Sequence, residues 1–236
     1  MKTRKSKLIG GLLALSLALP LAVATGHAAG QGVPSSKVTF QTSDLVLIPE
    51  TTGTGDWVTV LSGIIKTPNA KDMFISGSLE AGLFTQTEVK SKGNQKDTST
   101  ATVSIQVRAL VDGDVVPPGI VTYAARTQTL SATLEGAIAG CLTIVTNADG
   151  SLSIVLDENC VTPEVIDLIL ATLSAQSFDF VAVDVPEGVH TVSLQARITT
   201  SGSAQNGSFT ALGFVGKGTL TVESVRLVKG AGTAGG

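Results

Sequence analysis

His190-Thr191-Val192-Ser193-Leu194-Gln195-Ala196-Arg197-Ile198 sets Val192, Leu194, Ala196 and Ile198 against Ser193, Gln195 and Arg197 in strict alternation. Side chains of a strand project to opposite faces with period two, so the stretch reads as a half-buried β-strand. Pro186, Glu187 and Gly188 make the turn that starts it. Ser201 to Gly207, containing Asn206-Gly207, reads as the loop that returns the chain into another strand.

The same pattern recurs outward from that stretch. Ala101 to Val111 places Val103, Ile105, Val107 and Ala109 on one face and Ser104, Gln106 and Arg108 on the other. Further β-rich runs are Lys37 to Ile48, closed by Pro49, then Trp57 to Lys66 and Met73 to Thr87, where Gly77 and Gly82 suggest bends or bulges. Ile120 to Leu134, Phe178 to Val185, Phe209 to Val215 and Thr219 to Val228 complete the set. Lys90 to Thr98 is the most polar segment and reads as a solvated hairpin loop. Asn147-Ala148-Asp149-Gly150 between Cys141–Val145 and Leu152–Leu156 is a hairpin signal. One echo joins two strands: Ser104-Ile105-Gln106-Val107-Arg108 and Ser193-Leu194-Gln195-Ala196-Arg197 share Ser-apolar-Gln-apolar-Arg.

After Cys160, Thr162 suits an N-cap, Pro163 the first helical position and Glu164 the dipole, while Val165, Ile166, Ile169, Leu170 and Leu173 form an apolar stripe. This predicts one short α-helix covering an end or edge of the sheets. The expected fold is all-β: an antiparallel β-sandwich, jelly-roll-like, of about ten strands with that helix as its only helical cover.

Lys2, Arg4, Lys5 and Lys7 precede an apolar run from Leu8 to Val23 and the small residues of Gly26-His27-Ala28. That is the pattern of a secretory signal peptide over residues 1–28, with a single domain over 29–229 and a flexible Gly/Ala tail over 230–236. The leader holds four of the 16 basic residues and none of the 19 acidic ones, so 12 basic face 19 acidic residues in the mature part, a net charge of −7. Such a balance speaks against nucleic acid and anionic membrane partners. In an exported chain Cys141 and Cys160 are expected to pair, stapling the base of the hairpin.

The chemical inventory is thin. A catalytic triad would have to use His190, with Asp184 and Ser193 near it in sequence, but no Gly-x-Ser-x-Gly elbow accompanies it. Glu80, Glu88, Glu135 and Glu223 are the carboxylates a glycoside hydrolase could pair. Asp112, Asp114, Asp149 and Asp157 sit in turns and are the oxygen donors calcium would take; no other cofactor is indicated. Trp57 and Tyr123 are the aromatic residues a glycan could use. The expectation is therefore a secreted, extracellular or periplasmic, non-enzymatic structural or adhesive protein that forms homo-oligomers or binds a surface. Gln31 to Ile48 would be an exchangeable strand for such assembly. A carbohydrate-binding module is the alternative, followed by a carboxylate hydrolase.

Overall fold

The computed structural model describes residues 37–44, 53–138 and 140–228. The expected leader and tail, and the parts of Gln31 to Ile48 other than 37–44, lie outside the described residues. The strands are β1 (Val38–Ser43), β2 (Gly53–Thr54), β3 (Val58–Thr67), β4 (Lys71–Ser91), β5 (Gln95–Val111) and β6 (Asp114–Val115). They continue with β7 (Val121–Leu134), β8 (Leu142–Thr146), β9 (Leu152–Leu156), β10 (Glu164–Val185), β11 (Gly188–Ala204) and β12 (Gly207–Val225).

Two antiparallel sheets carry the fold. One runs β1-β12-β4-β10; the other runs β3-β11-β5, with β6 and then β7 along the far side of β5. The long strands alternate between sheets along the chain: β3 to β4, β4 to β5, β10 to β11 and β11 to β12 each cross from one layer to the other. Eight long strands in that order form a jelly-roll sandwich, as the strand pattern predicts. The crossings are tight. Gly93 and Asn94 turn β4 into β5 with φ of 69° and 55°, and Asn206, at φ 48°, turns β11 into β12. Lys90 to Thr98 and Ser201 to Gly207 are therefore mostly strand, with far shorter turns than their polarity suggests.

The core forms where alternating apolar faces meet. Ile65, Met73, Ile75, Leu79, Ile105, Phe180, Leu194, Ile198 and Leu220 are fully buried. Gly77 and Gly82 neither bend nor bulge β4; they make room. A Cβ on Gly82 would run into the Phe214 ring, and one on Gly77 would lie 2.7 Å from Leu194 Cδ2. Toward the β4–β5 turn the interior becomes polar: Gln128 donates to Thr87 Oγ1 at 2.8 Å and to the Leu168 carbonyl at 2.6 Å.

The expected helix is absent. Residues 164–185 are β10, a 22-residue edge strand paired with β4 from Glu164↔Ser91 to Ala182↔Met73. Apolar residues at 165, 166, 169, 170 and 173 satisfy a helical stripe, but a dense apolar run satisfies two strand faces equally. The 21-residue β4 offers a continuous ladder of backbone partners, and that tertiary pairing overrides the local capping signals.

Candidate functional site

Apart from Asp72 and Gly82, the buried positions of β4 are its odd residues, and these pair with even residues of β10, so even residues of β10 point into the sandwich and odd ones point out. From Leu168 to Phe178 the strand carries no charge. On the outer face Leu173 and Ile169 are 61% and 54% exposed, and on the inner face Ile166, Leu168 and Leu170 remain exposed too. Polar side chains of β7 reach over this inner face: Arg126 Nη1 donates to the Leu170 carbonyl at 3.0 Å, and Tyr123 Oη donates to the Gln176 carbonyl. Leu173 pairs with Gly82, whose vacant side-chain position is filled by Phe214 of β12. The exposed apolar surface therefore continues across three strands.

Just ahead of β10 in the chain comes the β8–β9 hairpin, which among the described residues pairs only with itself apart from a bridge at its base between Ala137 and Thr162. Both of its faces are open: Ile144, Leu152 and Ile154 on one are 69%, 70% and 71% exposed, and Val145 and Val155 on the other are exposed too. An isolated two-stranded hairpin is marginal in water. The Cys141–Cys160 disulfide, with Cα atoms 5.3 Å apart, closes this one as expected. Restricting the unfolded loop contributes about 3 kcal/mol. The bond is compatible with an extracellular or periplasmic location.

The expected calcium donors do not come together. Asp112 accepts from His190 Nδ1 at 2.7 Å and from the Thr191 N–H at 2.8 Å. Burial pushes its carboxyl up, but these hydrogen bonds and the His190 charge hold it below its ordinary value. Asp114 lies exposed on β6. Asp149 accepts from Ser151 N and Oγ, which lowers its pKa, and Asp157 accepts from Asn159 N; both belong to the hairpin region. Among the described residues no three His, Cys, Asp or Glu side chains are placed to hold a metal.

His190 is a buried structural residue: Nδ1 meets Asp112, and Nε2 lies 2.9 Å from the Pro186 carbonyl. It ties two turns to β11 and is bonded to neither Asp184 nor Ser193. Glu80 and Glu88 are eight residues apart on β4, roughly 27 Å at strand rise, beyond the ~5–9.5 Å a glycosidase pair requires. Glu223 sits level with Phe74 farther along the sheet, and the Glu135 carbonyl accepts from Gly93 N beside the β4–β5 turn. Tyr123 is only 6% exposed; its hydroxyl accepts the Leu79 N–H at 2.8 Å, and burial raises its pKa against that bond. It bridges β4 and β10 inside the sandwich and offers no aromatic face to a glycan.

Trp57 is placed differently. It is half-exposed just ahead of β3, with the guanidinium carbons of Arg108 and Arg197 at 4.2 and 4.6 Å from its ring centre. The echoed segments explain the arrangement. They lie on neighbouring antiparallel strands in the register Arg108↔Gln195 and Gln106↔Arg197. Arg108 Nε donates to Gln195 Oε1 at 2.9 Å, and Arg197 Nε donates to Gln106 Oε1 at 2.8 Å. Burial and the neighbouring Arg197 charge both lower the Arg108 pKa. The repeated Gln-x-Arg spacing was the signal available in sequence; the crossed pairing that gives it meaning is a matter of register. No protein-family model matches the chain, and no curated protein matches it.

Proposed function

We propose that this is an exported, non-enzymatic structural or adhesive subunit that assembles with copies of itself through the free edge of β10. The observation that carries the reading is a 22-residue edge strand, uncharged through its middle and apolar on both faces, preceded in the chain by a disulfide-stapled apolar hairpin. Exposed edges present unpaired backbone groups, and monomeric proteins blunt them with lysines, prolines or short strands; β10 uses none of these along its length. A second copy suits the edge. With a two-fold axis at Thr172, antiparallel β10 strands set Glu164 opposite Phe180, Asp167 opposite Ser177 and Asp179 opposite Val165, so no carboxylate within the paired length faces another. Seven or more half-exposed apolar side chains on each copy supply on the order of the 1,000 Å² a specific interface needs.

The test is the mass of the mature protein by light scattering over the micromolar range. The expected result is a dimer or larger assembly for the wild type, and monomers for an Ile169→Lys/Leu173→Lys variant of unchanged circular dichroism. A wild-type monomer throughout that range overturns the reading. Removing residues 29–43 tests the exchangeable-strand version: β1 rests on β12 at the other edge of the same sheet, and assembly through β10 alone survives its loss.

A further inference from the structure

We propose that the outer face of the β3-β11-β5-β7 sheet, at Trp57, Arg108 and Arg197, binds an acidic polysaccharide. A carboxylated sugar would place its carboxylate on the terminal nitrogens of the two guanidinium groups and its ring along the open edge of the indole. The site is separate from the β10 edge and does not depend on self-assembly.

Each arginine is anchored through Nε by the glutamine of the other strand, and neither has terminal nitrogens bonded to a protein acceptor or a carboxylate partner among the described residues. Two cations are thus held within 4.6 Å of the centre of one ring, on a chain whose mature part has an excess of acid. Holding like charges together is unfavourable until an anion joins them, and a planar fork with free terminal N–H groups is the geometry that takes a carboxylate in bidentate fashion. Asp56 precedes the tryptophan but bonds to neither guanidinium.

The rest of the face suits sugar rather than peptide or nucleic acid. From Thr98 to Ser104 the outward residues of β5 bear hydroxyls, and three of them meet hydroxyls of β7 in cross-strand rows: Thr102 with Thr127, Thr100 with Thr129 and Thr98 with Ser131, at 3.2, 3.1 and 2.9 Å. From Thr98 to Arg108 the strip runs roughly 34 Å at strand rise, long enough for several sugar units. It offers hydrogen-bonding partners to sugar hydroxyls. Two arginines fall well short of the run of phosphate contacts that nucleic acid binding uses.

Trp57 is the sole tryptophan, so its fluorescence reports on this site alone. The wild-type mature protein is titrated with polygalacturonate, with dextran as a neutral polysaccharide and with polyglutamate as a carboxylate polymer lacking sugar rings. The expected result is a salt-sensitive change in Trp57 emission with polygalacturonate, at least about tenfold tighter than with either control, the scale of one charged hydrogen bond. Arg108→Gln/Arg197→Gln is expected to lose that advantage, and Arg197→Lys to retain part of it. Equal binding of dextran overturns the anion site, equal binding of polyglutamate overturns the sugar, and no response in the wild type overturns both. Retained binding by a monomeric Ile169→Lys/Leu173→Lys variant separates this site from the assembly surface.

Discussion

Phe178 and Phe180 stand two residues apart on the same face of β10, their ring centroids 5.3 Å apart, yet Phe180 is fully buried while Phe178 is exposed. The boundary between them divides the strand. From Phe180 to Val185 it closes the jelly-roll core; from Glu164 to Phe178 it runs past the cover of the opposite sheet. The comparison shows that a strand's inward face is buried only where a second layer lies over it. Apolar residues on both faces beyond that point mark surface that a single copy leaves uncovered.

Truncation at each ring tests this boundary with the largest expected effect. Phe180→Ala should cost about 3–5 kcal/mol, and Phe178→Ala less than about 1 kcal/mol in the monomer, both read by urea denaturation. Similar costs would mean that the flank is as well packed as the core. Replacing both Cys141 and Cys160 by Ser should remove about 3 kcal/mol of stabilisation. Its effect should be local: amide exchange in β8 and β9 accelerates while Leu194 and Ile198 stay protected. Uniform acceleration would show that the hairpin belongs to the sandwich's cooperative unit.

Asp112→Asn tests the closed end, where His190 and Thr191 donate to the carboxylate. The expected loss is about 1–2 kcal/mol at neutral pH. Because the folded pKa of Asp112 lies below its ordinary value, its contribution is present above the unfolded carboxylate pKa, ~3.9. That contribution disappears as pH falls through the lower folded value. The stability difference between wild type and variant should therefore vanish in acid; a difference that persists there excludes the carboxylate as its source. Smallest of all, Leu173→Lys should change monomer stability by no more than about 0.5 kcal/mol. A larger loss in thermal unfolding would mean that Leu173 is already buried in solution.

Where alternation was strict, strand and buried face were legible together: Val103, Ile105 and Val107 on β5, and Val192, Leu194 and Ile198 on β11, are all core residues. The hairpin and its disulfide were legible because turn residues and two cysteines sit at its ends. The candidate sites were less so. Tyr123 is a glycan candidate by residue type, but it is the extra residue where the pairing of β5 with β7 shifts between Ile105 and Gln106, and it is buried. Trp57 was selected, but its two arginine neighbours come from strands distant in sequence, and nothing local announces them.

The amino-acid sequence by itself determined the period-two faces, the turns and the cysteine pair, since each depends on the geometry of a few consecutive residues or on a short closed loop. Tertiary structure alone decided that residues 164–185 are strand rather than helix, that β5 and β11 cross their Gln-x-Arg segments beneath Trp57, and that the middle of β10 is left uncovered. Local preference between helix and strand amounts to well under 1 kcal/mol per residue, whereas a long partner strand offers a backbone ladder at every second position. Which strands become partners, and where the opposite layer ends, is set by the packing of the whole chain.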